Sequence, residues 1–199
     1  MSGIHYLLLV LAYLSGAVPY GYLLTRKSTG LNILKEGSGN IGSTNVGRIA
    51  GKTVALQVQL LDMMKGLLPV AVIISLGKAA LMLFPDYFVF LVALSTIIGH
   101  NFSLFLRFRG GKGVNTTLGA SVLLAPVVVF LAVGVYFLVK WRFKYVSAGS
   151  MALALTLPVA GFFLNDNPWI SYYLLICSLM ILFRHTGNLR RLFSGTENI

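Results

Sequence analysis

The chain is poor in charged residues and nearly free of cysteine, and both shortages narrow its class. Only 11% of its 199 residues are charged and 57% are hydrophobic, whereas a soluble domain carries about 25% charged residues. Several apolar runs approach or exceed the ~20 residues that a membrane-spanning helix needs. The single cysteine, Cys177, excludes an internal disulfide and argues against a cysteine-ligated metal site. The sequence therefore predicts an all-α polytopic membrane protein.

Acidic residues are also scarce. The chain has 5 Asp and Glu against 16 Lys and Arg, which gives a net charge of +11. On a membrane protein, excess cations indicate cytoplasmic loops and contact with anionic lipid. No soluble basic domain remains outside the apolar runs, so we expect no nucleic-acid partner. The first apolar run lacks a cationic start and a small-residue cleavage site, which predicts a retained span rather than a signal peptide.

The loop charges predict the topology. The first three predicted spans are 4–24, 53–76 and 87–106. The loop after the first span contains Arg26, Lys27, Lys35 and Arg48, so the positive-inside rule places it in the cytoplasm and the N-terminus outside. The loop near Asp86 has no positive bias and is expected outside.

The region 114–139 decides the number of crossings. As one helix it would put Lys140 to Lys144 outside, against the charge rule. A break near Pro126 would divide it into two short crossings or a re-entrant pair. With crossings at 146–163 and 169–183, we predict about seven transmembrane helices, some short or broken, and a cytoplasmic C-terminus. No repeat or second domain is visible, so residues 1–199 are predicted to form one domain.

Three polar, glycine-rich stretches interrupt the apolar chain. The first, 37–45, combines small residues with two asparagines, which tolerate left-handed backbone and bond locally. A flexible loop and a structured anion-binding nest are both open interpretations. A nucleotide P-loop is excluded, because Val46 occupies the place of its first glycine. The candidate phosphate-binding residues here are Gly39, Asn40, Gly42, Ser43, Thr44, Asn45 and Arg48.

The second stretch, 99–113, ends in Arg109, Gly110, Gly111, Lys112 and Gly113. A basic anchor on anionic lipid is one interpretation, and it suffices for Arg107. An anchor needs no glycines, however, whereas glycines allow a backbone to approach a ligand closely. We therefore favour ligand binding for residues 109–113.

The third stretch contains His185 and Asn188, which share a face if they are helical. Such a pair could bind or deprotonate a hydroxyl group, although a lone histidine is more often a packing residue. Asp62 and Lys65 lie at i, i+3 inside the second span, where charged groups are functional or paired. A mutual ion pair that supports the bundle is the favoured interpretation.

Together these stretches resemble the bacterial acyl-phosphate-dependent glycerol-3-phosphate acyltransferases, the PlsY family. Residues 37–48 are similar to the first family motif, 99–114 to the second, and 184–192 with Gly195-Thr196-Glu197 to the third. In the helix after the first motif, the chain has Asp62, Lys65 and Gly66, as that family has at the same place. The chain departs from the pattern at Ser103, where proline is usual, and at Thr186-Gly187, which replaces a more polar pair.

The resemblance implies transfer of a fatty acyl group from acyl phosphate to the 1-hydroxyl of sn-glycerol 3-phosphate. The products would be lysophosphatidic acid and phosphate, in the first step of bacterial phospholipid synthesis (EC 2.3.1.275). It further implies a site that faces the cytoplasm from the bacterial inner membrane, a functional link to an enzyme that produces acyl phosphate, contact with membrane lipids, and no cofactor or metal. The sequence leaves the oligomeric state open, with a monomer as one of the alternatives.

The residues suit this chemistry. Two phosphate-bearing substrates need anion sites, which the three stretches can supply. We expect Lys112 and Ser43 to act with His185 and Asn188 in catalysis. No G-x-S-x-G elbow and no His-x4-Asp pattern occurs, which argues against an acyl-enzyme or an acyl-CoA enzyme. The alternatives are an organic-phosphate transporter and a lipid-binding membrane protein.

Overall fold

The computed structural model describes residues 1–197, and the regular secondary structure in that range is helical. Two short 3-10 turns, Ile33–Lys35 and Leu104–Leu106, lie between the α-helices. The ten α-helices are α1 (Gly3–Ala17), α2 (Tyr20–Thr29), α3 (Ser43–Ala50), α4 (Lys52–Lys78), α5 (Phe88–Asn101), α6 (Val114–Ser121), α7 (Pro126–Phe143), α8 (Val146–Leu164), α9 (Pro168–Arg184) and α10 (Thr186–Phe193). The all-α prediction is confirmed.

Several helices are long and apolar enough to span a membrane. By length and composition, five of them occur among residues 1–197, or six when α9 and α10, which meet at a 55° bend, count as one broken span. The five are Gly3–Thr29, Lys52–Lys78, Phe88–Leu106, Pro126–Phe143 and Val146–Leu164. The membrane class and the broken spans agree with the sequence analysis. Seven crossings and the sides of the two termini remain predictions.

The expected break before Pro126 is present. Helix α6 ends at Ser121 and α7 begins at Pro126, which occupies the first helical turn. Proline fits there because its missing N–H would have no helical partner at that position. Helix α6 has 8 residues, which gives about 12 Å of rise. That is less than half of the ~30 Å hydrocarbon core, which explains why α6 is not counted as a span by length.

The first predicted span is also broken, which the sequence analysis did not foresee. Helix α1 ends at Ala17 and α2 begins at Tyr20, with Val18 and Pro19 between them. Pro19 cannot donate a backbone hydrogen bond and disfavours helical geometry at the residue before it. The break leaves the Val18 carbonyl oxygen available, and it accepts hydrogen bonds from Tyr20 N at 3.2 Å and Lys65 Nζ at 2.9 Å.

The chain forms two compact units, Met1–Leu123 and Leu124–Ile199. In the first unit, α1 packs on α5, and α4 packs on α3, α5 and α6. Glycines allow the closest approaches. A Cβ on Gly66 of α4 would overlap the Thr116 carbonyl oxygen of α6, and one on Gly119 would overlap the Met63 carbonyl oxygen. Small residues at such crossings are typical of membrane helices.

In the second unit, α8 packs between α7 and α9. Gly149 of α8 faces the Tyr136 ring, and Gly161 faces the Leu174 side chain. Helix α9 ends at Arg184, and the next residue, His185, is both the C-cap of α9 and the N-cap of α10. The bend at His185 therefore positions the third polar stretch. The prediction of one domain over residues 1–199 stays a prediction.

Candidate active site

The first glycine-rich loop is held by the side chain of Asn45. This side chain is 2% exposed; its Oδ1 accepts a hydrogen bond from Ser38 N at 3.0 Å, and its Nδ2 donates to the carbonyl oxygens of Glu36 and Asn40, both at 3.0 Å. Gly37 has a left-handed φ of +56°, and a Cβ there would overlap Asn45 Oδ1. The loop is thus a structured turn, and Asn45 is its internal clamp.

A second asparagine completes the turn. Asn40 Oδ1 accepts a hydrogen bond from Gly42 N at 2.8 Å, and Gly42 precedes the first turn of α3. The half-buried Ser43 and the exposed Thr44 therefore begin α3, and the exposed Arg48 lies one turn further along. Backbone N–H groups at a helix start, a hydroxyl and a guanidinium are the groups that bind phosphate in proteins.

The structure brings the first and second polar stretches together. Asn115 Nδ2 lies 3.4 Å from Ser43 Oγ, although the two residues are 72 positions apart in the sequence. Asn115 lies in the first turn of α6, two residues after Gly113. The start of α3 therefore lies beside the start of α6, and a shared site of Ser43 with residues 109–113 stays a prediction.

The second loop is built on the end of α5. Gly111 N donates to the His100 carbonyl oxygen at 3.0 Å, and a Cβ on Gly111 would overlap His100 Nε2. A Cβ on Gly110 would overlap the His100 carbonyl oxygen, and one on Gly113, whose φ is +85°, would lie 2.7 Å from Asn101 Oδ1. The glycines are required by packing on His100 and Asn101, a reason that the sequence analysis missed.

The cations of this loop differ in their surroundings. Lys112 is half-buried beside the glycines, whereas Arg107 and Arg109 are exposed. Arg107 and Phe108 both have left-handed backbone, with φ of +53° and +63°. Phe108 N donates to the Ser103 carbonyl oxygen at 2.7 Å, which closes the turn.

Two further bonds attach this turn to α1. Ser103 Oγ donates to the Ala17 carbonyl oxygen at 2.6 Å, and Tyr13 Oη donates to the Phe102 carbonyl oxygen at 2.8 Å. Ser103 stands where the family usually has proline, and its φ of −66° is the value that proline prefers. Serine here keeps the backbone shape and adds one bond to α1.

Asp62 and Lys65 form the expected ion pair within α4. Lys65 Nζ lies 2.9 Å from Asp62 Oδ1, and the side chains are 2% and 3% exposed. Lys65 Nζ also lies 5.6 Å from the centre of the Tyr20 ring, a cation–π arrangement. His100 Nδ1 lies 3.7 Å from Asp62 Oδ1, a neighbour that the sequence analysis did not identify.

The third stretch places two predicted residues on the inner face of its bend. His185 is 2% exposed and Asn188 is 8% exposed. His185 Nδ1 lies 2.8 Å from the Ile181 carbonyl oxygen. Because a carbonyl oxygen only accepts, Nδ1 is the donor in this bond, and in the neutral form of the ring Nε2 is then the acceptor nitrogen.

Glu197 organises the rest of this stretch. Its Oε1 accepts hydrogen bonds from Asn188 Nδ2 at 2.6 Å and Ser147 Oγ at 2.8 Å, and its Oε2 pairs with Arg191 Nε at 2.8 Å. Burial acts to raise the pKa of Glu197, but the bonds from Asn188, Ser147 and Arg191 and the charge of Arg191 outweigh it and lower the pKa. Glu197 is thus a carboxylate that fixes Asn188. The sequence signal was its place in Gly195-Thr196-Glu197, without any role attached.

No cluster of three or more His, Cys, Asp or Glu side chains suited to a metal ion occurs among residues 1–197. Two carboxylates of the described chain pair with cations, Asp62 with Lys65 and Glu197 with Arg191. The polar stretches contain helix N-termini, glycine turns and further cations. These features, set on apolar helices that are long enough to span a membrane, define a class: a polytopic membrane protein with cationic, glycine-rich polar loops.

Comparison with known proteins identifies the family. The glycerol-3-phosphate acyltransferase family pattern matches residues 6–195. A glycerol-3-phosphate acyltransferase of Syntrophotalea carbinolica is 40% identical over 193 residues, which cover 97% of this chain and 96% of that one. One of Thermus thermophilus is 41% identical, with 95% and 92% covered. The chain belongs to the glycerol-3-phosphate acyltransferase family, the PlsY family.

Two crystal structures of PlsY, an integral membrane glycerol 3-phosphate acyltransferase, share the fold. The glycerol 3-phosphate form has a TM-score of 0.89 and the lysophosphatidic acid form 0.84, each at 28% identity over 98% of this chain and 95% of that chain. The resemblance found in the sequence is therefore confirmed. The chain is an integral membrane acyltransferase of this family, in which phospholipid synthesis is the common role.

Proposed function

We propose that the protein transfers a fatty acyl group from acyl phosphate to the 1-hydroxyl of sn-glycerol 3-phosphate. The hydroxyl oxygen bonds to the acyl carbonyl carbon, and the bond from that carbon to the phosphate oxygen breaks. Phosphate leaves with the electron pair, and the hydroxyl proton passes to His185 Nε2 or to a phosphate oxygen. A mixed anhydride has a good leaving group, so this route requires no acyl-enzyme.

One observation carries the phosphate-binding part of the proposal. The start of α3 and the start of α6 meet at Ser43 and Asn115, 3.4 Å apart. This contact supports a shared anion site of Ser43, Arg48, Arg109 and Lys112, with backbone N–H groups of both turns. Preorganised donors of this kind stabilise the charge that develops on phosphate as it leaves. The crystal structures with glycerol 3-phosphate and lysophosphatidic acid support the same class of substrate.

The acceptor hydroxyl is assigned to His185 and Asn188. His185 has a fixed ring orientation because Nδ1 is bonded to the Ile181 carbonyl oxygen. Asn188 is fixed by Glu197 at 2.6 Å. A rigid acceptor nitrogen can orient a hydroxyl and take its proton, which is the geometry that general-base catalysis needs.

The donor and the location are part of the same proposal. Acyl phosphate must come from an enzyme that transfers an acyl group to inorganic phosphate, so we expect a functional link to such an enzyme. The concentration of Lys and Arg next to the polar stretches supports an inner-membrane protein whose active site faces the cytoplasm.

The test is phosphate release by the purified protein supplied with palmitoyl phosphate and glycerol 3-phosphate. We expect phosphate and lysophosphatidic acid in equal amounts, and little product when palmitoyl-CoA or palmitoyl-acyl carrier protein replaces palmitoyl phosphate. Equal turnover with palmitoyl-CoA would contradict the donor assignment. Protein-dependent phosphate release without lysophosphatidic acid would contradict the transfer itself.

A further inference from the structure

Helix α4 contains a buried ion pair that the proposed chemistry does not use. Asp62 and Lys65 are 2% and 4% exposed in the middle of a 27-residue span. Charged residues at this depth are costly, and a hydrophobic pair of similar volume often stabilises a fold as well or better. A buried ion pair that persists at such a cost is therefore a candidate for a positional role.

The pair connects two breaks in the helical structure. On one side, Lys65 Nζ donates to the carbonyl oxygen of Val18 at 2.9 Å, where α1 and α2 separate. On the other side, Asp62 Oδ1 faces His100 Nδ1 at 3.7 Å, at the end of α5. The first contact is a hydrogen bond, and the second, at 3.7 Å, is an electrostatic contact between a carboxylate oxygen and an imidazole nitrogen. An apolar side chain could make neither.

His100 in turn supports the second polar loop. Its carbonyl oxygen accepts a hydrogen bond from Gly111 N at 3.0 Å, and its ring lies so close to Gly111 that a Cβ would overlap Nε2. A Cβ on Gly110 would likewise overlap the His100 carbonyl oxygen. A shift of His100 would therefore move the two glycines that separate Arg109 from Lys112.

We propose that Lys65, Asp62 and His100 form a buried polar strut that positions the backbone of residues 110–112 for binding a phosphate group. They are positioning residues, because the loop rather than the strut contacts the ligand. The inference rests on the proposed function, in which this loop binds phosphate. The phosphate is that of glycerol 3-phosphate or that of acyl phosphate, and separate measurements distinguish the two.

The main test is the double variant Asp62→Leu/Lys65→Met. Removing both charges leaves no unpaired buried ion, so the protein should fold, elute as one species and keep its apparent melting temperature within a few degrees. We expect the KM for one phosphate substrate to rise tenfold or more, because a displacement of about 1 Å can cost ~10²-fold. The fall in kcat should be smaller than the rise in KM.

Titration of each substrate with the other saturating shows which phosphate the loop holds. Inorganic phosphate serves as a probe without turnover. It should raise the melting temperature of the parent protein and raise that of the double variant less at the same concentration. If the variant folds with unchanged KM values and an unchanged phosphate-induced shift, the strut has no positioning role.

Two further variants make the outcome specific. Thr96→Val is the matched control, because Thr96 is 0% exposed, lies one turn before His100 on α5, and bonds only within its helix, to the Val92 carbonyl oxygen. Thr96→Val should leave the KM values unchanged. If it raises KM as much as the double variant does, the rise reflects a general disturbance of the core and not the loss of the strut.

Lys112→Ala tests the loop itself. If Lys112→Ala binds both substrates normally, the proposed phosphate site fails. If Lys112→Ala is impaired and the double variant is not, only the strut fails.

Discussion

Lys112 and Arg107 are cations of the same loop but have different expected roles. Lys112 is half-buried and follows two glycines that pack on His100, whereas Arg107 is exposed. We expect Lys112→Ala to lower kcat/KM by roughly 10²-fold or more, the cost of losing one preorganised donor. Steady-state kinetics on detergent-stable protein measures this.

Arg107→Ala is the control for Lys112→Ala. It removes a neighbouring positive charge that we assign to contact with anionic lipid, so it should change kcat/KM far less. Similar losses in both variants would show that the loop acts through its net charge rather than through Lys112.

Substitutions of His185 can distinguish two roles for this residue, orienting the substrate hydroxyl and accepting its proton. Its Nδ1 proton is bonded to the Ile181 carbonyl oxygen, and an asparagine amide could keep a donor there. We expect His185→Ala to lower kcat and His185→Asn to restore part of it if the role is orientation. Equal losses in the two variants would favour proton transfer.

His5→Gln is the matched control for this pair of variants. His5 lies near the start of α1 and packs on Phe84 and Phe88, so its replacement should leave kcat unchanged. Normal activity in both His185→Ala and Lys112→Ala would show that the site is misplaced.

In the first unit, the crossing of α4 and α6 has a glycine of each helix at a point of close approach, Gly66 of α4 and Gly119 of α6. A Cβ on Gly66 would overlap the Thr116 carbonyl oxygen, and α4 and α6 would have to separate. We therefore expect Gly66→Ala to lower the apparent melting temperature by several degrees. Gly134 of α7 has no atom within 4 Å of its ideal Cβ position, so Gly134→Ala should be neutral or slightly stabilising. A thermal shift assay on both variants compares a crowded glycine with an open one.

The periodic and compositional features of these elements were predictable from the sequence. Apolar runs gave the spans, Pro126 gave the break before α7, and the i, i+3 spacing gave the Asp62–Lys65 pair. Each of these features is determined by residues close together in the sequence, so a short stretch is enough to predict it. Pro19 was an equally local signal, but the apolar run around it concealed the break.

Contacts between distant residues could not be predicted in this way. Ser147 and Glu197 bond at 2.8 Å although they are 50 positions apart, and nothing near either residue indicates the other. The same holds for His100 beneath Gly111. The sequence identified glycines that allow close approach, but only the fold shows that the approaching group is a histidine.

Glu197, near the end of the described chain, holds α10 through hydrogen bonds that depend on its charge. We call this set of bonds, from Glu197 to Asn188, Arg191 and Ser147, the clamp. Three side chains bond to the charged form of Glu197, and its pKa is lowered. A carboxyl group whose pKa is lower in the folded state contributes stability that is fully present above its ordinary pKa of 4.5. That contribution is lost as the pH falls through the lowered folded-state pKa.

We therefore predict that Glu197→Gln lowers the melting temperature at pH 7 and that the difference from the parent shrinks below about pH 4.5. Melting curves between pH 3 and pH 8 in one detergent test this. Asp166→Asn is the matched carboxyl-to-amide control, because Asp166 is an exposed residue in the turn between α8 and α9. A Glu197→Gln profile that runs parallel to the parent at every pH would contradict the clamp.

The topology of the whole molecule depends on whether the chain around α6 crosses the membrane. Helix α6 rises about 12 Å, and the four residues that follow it add at most about 14 Å when fully extended. Together they fall slightly short of a ~30 Å hydrocarbon core, so a crossing here requires a locally thinner bilayer. If it does not cross, Lys140, Arg142 and Lys144 lie outside, against the charge rule. If it does, they lie in the cytoplasm, and seven crossings result.

Single cysteines decide between these outcomes in a Cys177→Ala background, which removes the buried native thiol. We predict that an impermeant thiol reagent labels positions 86 and 167 in intact cells. Positions 38, 144 and 195 should react only after the cells are opened, because cation-rich loops stay in the cytoplasm. Position 38 is preferred to 111, where a side chain would overlap His100. Labelling of position 144 from outside would remove the crossing at α6 and reduce the count to six.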